Sequence, residues 1–365
     1  MGPPRPLSPM SRFPPALLAA ALALLAACVA PRPAQDAAPP PLADQASGTD
    51  ALLIGSHAVG GGVVWASGTA GTVLRTVDGG ATWADVSVPG ADTLQFRDVH
   101  AFGPDVAVVL SIGEGTASRI YRTADGGATW RETFVNAEPG GFFDCLDFWP
   151  AADPDAARGL AFSDAVDGAF LVIQTDDGGR SWSRVSPDVL PPARPGEGGF
   201  AASGTCVATH GAQAAWIATG NARPARVLRT DDGGRSWTSA PVPLDAGDAA
   251  GATSVAFRTA ERGVALGGNL AAPDSVGAAV ARTVDGGRSW QAGGALPFVG
   301  AAYGTAYVPG TDALVAVGPG GAALSRDDGA TWTLFDGRAF WGVTAADGTA
   351  WLVGPDGRVA ALDLR

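Results

Sequence analysis

One eight-residue pattern occurs six times in this chain and constrains its fold more than any other feature. The pattern is Ser/Thr-x-Asp-x-Gly-x-Ser/Thr-Trp, and its copies occupy 76–83, 123–130, 175–182, 230–237, 283–290 and 325–332. Successive copies begin 42 to 55 residues apart, which matches the length of one four-stranded blade of a β-propeller. The composition, with 52 Gly and 28 Pro in 365 residues, suits many short strands joined by turns. The sequence therefore predicts an all-β propeller.

The segments between these copies repeat one order of signals: an apolar strand, a polar turn, a second strand ending in Gly, and an alternating strand that enters the next copy. The second strands are predicted at 63–68, 106–113, 158–163, 214–220, 263–268 and 314–318. A seventh unit, at 340–345, 351–354 and 358–362, lacks the pattern. We therefore expect a propeller of seven four-stranded antiparallel blades over residues 51–365. Because the last unit has three strands, its fourth strand should come from residues ahead of Leu52. A propeller of six blades with an appended hairpin is the alternative.

The N-terminal segment is typical of an export signal. Arg5 and Arg12 precede an apolar run at 16–27, which is too short to span a bilayer as a helix. The run ends Leu25-Ala-Ala-Cys28, which resembles a bacterial lipobox. Residues 1–27 are therefore predicted to be a lipoprotein signal peptide, and Cys28 the lipidated N-terminus of the mature protein. An ordinary signal peptide with an incidental Cys is the alternative.

Residues 28–50 are rich in Pro and Ala, which predicts a semi-extended tether. Val29, and not Asp, follows the cysteine, so by analogy with Gram-negative lipoproteins we expect the outer membrane, facing the periplasm or the cell surface. The lipid anchor is the expected membrane contact. Removing Arg5 and Arg12 with the signal leaves 22 Arg against 36 Asp and Glu, a net charge of −14. Such an acidic chain is a poor partner for nucleic acid or anionic lipid surfaces.

Cys145 and Cys206 are the remaining cysteines, and both fall on predicted first strands of neighbouring blades. An oxidising compartment would allow them to pair. We nevertheless expect two buried free thiols, because a disulfide demands a narrow range of separations. His57, His100 and His210 are expected to be strand residues rather than ligands. No Cys/His spacing typical of a metal site occurs, so neither a metal nor a cofactor is expected.

The repeated residues have structural roles in a tight turn between the third and fourth strands of a blade. The Asp, such as Asp78, can accept hydrogen bonds from the backbone N–H groups that follow it. The Gly, such as Gly80, permits positive φ, and the Trp, such as Trp83, buries a large ring. One Asp per turn falls short of the roughly six to eight oxygen ligands that calcium prefers. We therefore expect these six Asp to build turns rather than sites.

The pattern resembles the Asp-box, or BNR repeat, of sialidases, of sortilin-type receptor domains and of the family related to the plant photosystem II stability and assembly factor. Repeats such as Leu74-Arg-Thr-Val-Asp-Gly-Gly80 and the one at 228–234 are most similar to the assembly-factor family, over residues 52–364. This resemblance implies a non-enzymatic, extracytoplasmic binding or assembly module with a protein or glycan partner in the cell envelope. It implies neither a particular partner, nor an oligomeric state, nor photosynthesis.

The sialidase resemblance is incomplete. That family carries Arg-Ile-Pro ahead of its first repeat and uses an Arg triad, a Tyr with a Glu, and an Asp acid. Arg-Ile-Pro is absent here, where Arg32, Arg194 and Arg223 each precede Pro directly. Glu197 and Tyr303 remain a candidate nucleophile pair. A glycoside hydrolase acting on envelope or extracellular glycans is therefore the alternative function, and no catalytic residue is assigned.

Two segments depart from the repeat and form the candidate binding surface. Blade three carries Asp144, Asp147 and Asp164, and the loop at 186–205 into blade four carries Arg194 and Glu197. First strands of a propeller line its central channel, and the loops that enter them build its mouth. We therefore predict that these five side chains converge on one ligand site. The alternative is that they are ordinary solvated or turn residues.

Overall fold

The computed structural model describes residues 1–4 and 40–365. Apart from residues 1–4, the predicted signal peptide lies outside the described residues, as do the lipidation at Cys28 and most of the predicted tether. No helix in the described part of the chain has the length and apolar character needed to cross a bilayer. Apart from short 3-10 helices at Gly115–Ala117, Pro154–Ala156 and Pro187–Val189, the regular structure of these residues is β-strand.

The strands form seven antiparallel sheets of four, which is the predicted seven-bladed propeller. Strand β1 (Ala43–Gln45) precedes the blades, and within each blade the strands then pair in chain order. Blades 1 to 3 contain β2 (Leu53–Gly60), β3 (Val63–Gly68), β4 (Val73–Thr76), β5 (Ala84–Asp85), β6 (Phe96–Ala101), β7 (Ala107–Ser111), β8 (Arg119–Thr123), β9 (Arg131–Val135), β10 (Phe143–Phe148), β11 (Gly159–Val166), β12 (Ala169–Thr175) and β13 (Ser183–Arg184). Blades 4 and 5 contain β14 (Val207–His210), β15 (Ala214–Ala218), β16 (Arg226–Thr230), β17 (Thr238–Pro241), β18 (Ala250–Phe257), β19 (Gly263–Asn269), β20 (Val280–Thr283) and β21 (Gln291–Ala292). Blades 6 and 7 contain β22 (Gly304–Tyr307), β23 (Leu314–Gly318), β24 (Gly321–Ser325), β25 (Thr333–Asp336), β26 (Gly342–Ala346), β27 (Thr349–Val353) and β28 (Val359–Asp363).

Strand β1 supplies the outermost strand of blade 7. It pairs antiparallel with β28, with Ala43 opposite Ala361 and Gln45 opposite Val359. The first strand of blade 1, β2, packs against the first strands of blades 2 and 7, so the ring is closed. The missing strand therefore comes from ahead of Leu52, as predicted, and lies within the range predicted as tether. The pairing of β1 with β28 closes the ring, and the outer edge of blade 7 is then the short strand β1.

The eight-residue repeats form the turns between third and fourth strands. In blade 1, Thr82 donates to Asp78 from its backbone N–H at 2.9 Å and from its hydroxyl at 2.7 Å. The Gly80 N–H donates to the Thr76 hydroxyl at 2.9 Å, with Gly80 at φ +94°. The other five repeats make the same Asp-centred bonds. The Trp side chain is buried in Trp237 and half-buried in the other five repeats, so the ring is less enclosed than expected.

Apolar side chains between adjacent blades form the core. Trp216 of blade 4 stacks on Phe257 of blade 5, with ring centroids 3.4 Å apart and planes 8° apart. Trp65 of blade 1 meets Trp130 of the blade 2 repeat edge-on at 6.3 Å. Such contacts fix each blade against the next. They hold the first strands around a common axis, where the candidate site lies.

Candidate binding site at the mouth of the central channel

A cavity of about 400 Å³ lies at the end of the channel where the first strands begin. All seven blades contribute to its wall, through side chains that precede or begin a first strand or that end a second strand. The wall consists of Leu52, Arg97, Ile112, Phe142, Asp144, Asp164, residues 199–202, Leu270, Tyr303 and Trp341. We call this cavity the mouth. Because every blade supplies part of it, the mouth exists only in the closed ring.

The segment 198–205, which we call the plug, crosses the channel and forms the floor of the mouth. It leaves blade 4 and reaches blade 2, where the Arg97 guanidinium donates to the Ala201 carbonyl at 2.8 Å. It also reaches blade 6, where the Ser203 hydroxyl donates to the Tyr303 carbonyl at 2.7 Å. Ala201 and Ser203 are buried. The mouth is therefore a blind pocket and not an open channel.

Glycine lets the plug pass close to the mouth carboxylates. A Cβ at Gly199 would lie 2.6 Å from Asp144 Oδ2, and one at Gly198 would overlap the Asp164 carboxylate. At the far end of the plug, Gly204 has φ +75° and leaves no room for a Cβ beside Asp98. The Gly-rich sequence of this loop is thus required by close approach of backbone to side chains.

A disulfide joins Cys145 of β10 to Cys206, which directly follows the plug. The prediction of two free thiols is therefore wrong, although their burial is confirmed, since both side chains are 0% exposed. Adjacent first strands bring the two Cα atoms to 5.8 Å, which lies within the range that a disulfide requires. The sequence placed both cysteines on neighbouring first strands but could not supply this separation. The bond fixes the end of the plug to blade 3.

Asp144 and Asp164 both lie on β-bulges. In β10 the register with β11 shifts between Phe143 and Cys145, which leaves Asp144 as the extra residue. In β11 the register with β12 shifts between Ser163 and Ala165, which leaves Asp164 as the extra residue. A bulge redirects the side chain of its extra residue. These two bulges place both carboxylates on the wall of the mouth.

Burial raises the pKa of both carboxyl groups. Asp144 is 2% exposed, and burial together with repulsion from Asp164 raises its pKa well above the ordinary value. The Ala201 N–H bonds to this carboxylate, but Asp144 Oδ2 has no hydrogen-bond partner among the described residues. Burial raises the pKa of Asp164 to about 6, against one hydrogen bond from the Gly199 N–H at 2.8 Å. The mouth therefore holds two carboxyl groups whose ionised forms are poorly stabilised.

Arg97 and Trp341 also line the mouth and were missed in the sequence. Tyr303, predicted only as a candidate partner of Glu197, lines the mouth without Glu197, whose carboxylate is bonded to Arg226. Arg97 is the extra residue of a bulge in β6, at the position that corresponds to Asp144 in β10. Tyr303 and Trp341 directly precede β22 and β26, and their rings meet edge-on at 5.2 Å. Aligning the first strands on the repeats would have revealed Arg97, because the two bulges occupy equivalent places. Nothing in the repeat itself marks the two aromatic residues.

Asp147 lies deeper in the channel than Asp144 and does not line the mouth. Its carboxylate accepts hydrogen bonds from the Thr209 N–H at 2.8 Å and lies 3.0 Å from His100 Nδ1. Burial alone would raise its pKa, but the hydrogen bond from His100 and the nearby imidazoles hold it below the ordinary value. Within residues 1–4 and 40–365, no group of three or more His, Cys, Asp or Glu side chains has the geometry of a metal site.

Glu197 and Arg194 anchor the loop that leads into the plug. Glu197 is 2% exposed and receives two hydrogen bonds from Arg226, at 2.6 and 2.7 Å. Thr219 and the Arg194 N–H complete its bonding at 2.8 and 2.9 Å. The Arg194 guanidinium donates to the Pro224 carbonyl. Of the five predicted ligand residues, the structure brings Asp144 and Asp164 together in the mouth and places the other three elsewhere.

Comparisons with known proteins describe a fold rather than a family. Neither a protein-family model nor a curated protein matches this chain. Among solved structures, YCF48 bound to a D1 peptide has 15% sequence identity and a TM-score of 0.62, covering 90% of this chain and 98% of that one. YCF48 from Cyanidioschyzon merolae has 16% identity and a TM-score of 0.60, covering 90% and 99%. The GH74 enzyme of Niastella koreensis has 15% identity and a TM-score of 0.58, covering 89% of this chain and 54% of that one. At this level of identity the neighbours show a shared fold, and they include both a peptide-bound protein and an enzyme.

Proposed function

We propose that this protein is an extracytoplasmic, assembly-factor-like binding module that holds a segment of a partner polypeptide in its mouth and catalyses no reaction. The observation that carries this proposal is the blind mouth to which all seven blades contribute. Its floor is the plug, so a segment can enter but not pass through. Aromatic walls with a few polar groups are typical of binding pockets. YCF48, a propeller of similar fold, has been solved with a peptide bound, which supports a polypeptide as the ligand here.

We further propose that the chain is exported and anchored through Cys28, in the outer membrane. The apolar run that ends at Cys28 supports this, and so does the disulfide between Cys145 and Cys206, because such bonds persist mainly in oxidising compartments. Mass spectrometry of the mature protein is expected to find an acylated Cys28 at the N-terminus. An unmodified N-terminus at another residue would contradict the anchor.

Crosslinking in the producing cells tests the binding function. A photo-crosslinking amino acid replaces Leu270, which lines the mouth, or Val284, which is 64% exposed in the repeat turn of the same blade. We expect a discrete polypeptide adduct from position 270 that position 284 does not give. Addition of Tyr303→Ala should reduce the adduct from position 270, because this substitution removes part of the aromatic wall. The same adducts from both positions, or none from position 270, would contradict the proposal.

A glycoside hydrolase is the second candidate, because one carboxyl with a pKa of about 6 shares the mouth with another carboxyl. Such a pair could supply a general acid and a second carboxylate. Asp144 is 2% exposed, however, which restricts the access of a sugar ring to its carboxylate. Release of reducing sugar from envelope glycans that is abolished by Asp164→Asn would favour the enzyme. No release from these glycans would leave the binding module.

A further inference from the structure

The mouth contains an unmet requirement for positive charge. Asp144 Oδ2 is buried without a hydrogen-bond partner, although buried carboxylate oxygens are normally bonded. Asp164, beside it, has one backbone hydrogen bond. Arg97 is near enough to oppose the rise in the pKa of Asp144, but no salt bridge among the described residues includes either carboxylate. Two acidic groups thus face one cavity without a cation that pairs with them.

Arg97 does not meet this requirement. One of its terminal nitrogens donates to the Ala201 carbonyl at 2.8 Å and the other to Gln95 Oε1 at 3.2 Å. These bonds hold the guanidinium against the plug and the neighbouring strand, and its Nε is buried without a partner. Arg97 therefore supports the floor of the mouth. It also leaves the mouth with a net charge of −1 when both carboxyls are ionised.

The walls around the two carboxylates are aromatic. Phe142 and Phe200 lie on the side of blades 3 and 4, and Tyr303 and Trp341 lie on the side of blades 6 and 7. A cation is attracted to an aromatic face within about 6 Å, and more strongly when water is excluded. A cavity with carboxylates and aromatic rings together therefore favours an ammonium or guanidinium group over an anion or a neutral side chain.

We propose that the mouth accepts a single lysine or arginine side chain of the partner polypeptide, with Asp164 as its acceptor and the buried Asp144 adding negative charge behind it. This inference rests on the proposed function and names the part of the partner that the site recognises. The cation donates a hydrogen bond to Asp164, and its charge also compensates that of the neighbouring, buried Asp144. The 400 Å³ of the mouth accommodates such a side chain together with adjoining backbone.

Binding of a cation should therefore depend on pH. The titratable and charged groups that face Asp164 are Asp144 on β10, Arg97 on β6 and Tyr303 before β22. Arg97 keeps its charge, and Tyr303 stays neutral, throughout the range of the assay. Because burial raises the pKa of Asp164 to about 6, a cation that binds its ionised form displaces a proton. Affinity should rise between pH 5 and pH 7.5.

The test uses the full-length protein and four synthetic peptides, acetyl-Gly-Ser-X-Ser-Gly-amide, in which X is arginine, lysine, citrulline or glutamate. Calorimetry or NMR titration measures binding. We expect the arginine and lysine peptides to bind about tenfold or more tightly than the citrulline peptide, because hydrogen bonds to charged groups are the stronger ones. Binding in buffers of different ionisation enthalpy should show proton release near pH 6. Equal binding of the arginine and citrulline peptides would overturn the proposal.

Asp164→Asn is the main variant, because an amide oxygen can still accept from the Gly199 N–H while the charge is lost. It should reduce the affinity for the arginine peptide toward that for the citrulline peptide and remove the part of the pH dependence centred near pH 6. Asp167→Asn is the matched control: it lies three residues away, is exposed, and sits at φ +53°, which Asn tolerates. It should change nothing. Equal losses in both variants, or no loss in Asp164→Asn, would refute the role of the mouth carboxylate.

The crosslinking experiment separates failure of this inference from failure of the proposed function. If position 270 gives a polypeptide adduct whose yield Asp164→Asn leaves unchanged, the mouth binds a polypeptide but not through a cation. If spermidine and the arginine peptide bind through Asp164 but no polypeptide is crosslinked in cells, the ligand is a free amine and the proposed function fails. An adduct that is lost in Asp164→Asn and kept in Asp167→Asn supports both.

Discussion

Replacing both Cys145 and Cys206 by Ala removes the disulfide that crosslinks blade 3 to the end of the plug. The disulfide closes a loop with a sequence separation of 61 residues. The loop-entropy relation for a crosslink of that length gives a loss of about 4 kcal/mol in the free energy of unfolding. With an unfolding entropy of about 2.1 cal/mol/K per residue over roughly 320 residues, this corresponds to a decrease in Tm of about 6 °C.

The assay compares urea-induced and thermal unfolding of the two proteins, followed by tryptophan fluorescence. Cys28 is replaced by Ser in both, so that alkylation counts only the paired thiols. Because both sulfurs are 0% exposed, the native protein should resist both alkylation and reduction, whereas the denatured and reduced protein should take up two labels. The arginine peptide should also bind more weakly to the variant, since the floor of the mouth loses its attachment to blade 3.

Two results would refute this reasoning. The first is a stability loss under about 1 kcal/mol, because the crosslink would then constrain the unfolded chain far less than its loop length predicts. The second is alkylation of Cys145 or Cys206 in the oxidised native protein, which would show that the pair is not joined. A loss of stability without any change in peptide affinity would show that the plug keeps its position without the bond.

Two further predictions concern groups outside the mouth. Glu197→Gln breaks the buried pair with Arg226 and is expected to lower the free energy of unfolding, measured by urea denaturation, by about 3–5 kcal/mol. The control Glu261→Gln, at an exposed position, should leave this free energy unchanged. Equal effects of the two substitutions would contradict the anchoring role of Glu197. Burial and the neighbouring His100 lower the pKa of His57 to about 3, which is below its value in the unfolded chain. As the pH falls, the unfolded state therefore binds a proton before the folded state does. The stability that neutral His57 contributes is lost between about pH 6.5 and pH 3. The stability difference between the wild type and His57→Asn should therefore shrink by roughly 2–3 kcal/mol between pH 7 and pH 4, and a difference that does not vary with pH would refute this.

The repeats made the blades predictable because each copy fixes both the end of a third strand and the turn that follows it. The predicted second strand at 314–318 is β23, and the predicted one at 263–268 differs from β19 by one residue. The seventh blade was also predictable without a repeat, since its strands at 340–345, 351–354 and 358–362 keep the same order of signals. A blade with three strands in sequence needed a fourth, which was predicted to come from ahead of Leu52, and β1 supplies it.

The mouth was predictable only in part, because strand alternation does not reveal a bulge. Asp144 and Asp147 are three residues apart on β10, and both stood out as acidic residues on a first strand. The bulge at Asp144 directs its carboxylate into the mouth, while Asp147 is bonded to His100 and the Thr209 N–H along the channel. Glu197 shows the same difficulty, since it lies in a loop and its partner Arg226 lies 29 residues away on β16. Pairings of this kind depend on tertiary structure and have no local signal.

The chain uses aspartate in two opposite electrostatic settings, and the contrast identifies which carboxylates are available to a ligand. In the repeat turns, hydrogen bonds from Thr82 lower the pKa of Asp78 to about 2, and hydrogen bonds from Ser236 lead the causes that lower the pKa of Asp232 to about 2. Carboxylates bonded in this way already have their charge stabilised. In the mouth, Asp144 and Asp164 have raised pKa values because burial is not matched by donors. A cationic ligand would gain more from the second kind of carboxylate than from the first, so the proposed recognition is expected where bulges interrupt the blade rather than in the repeat turns.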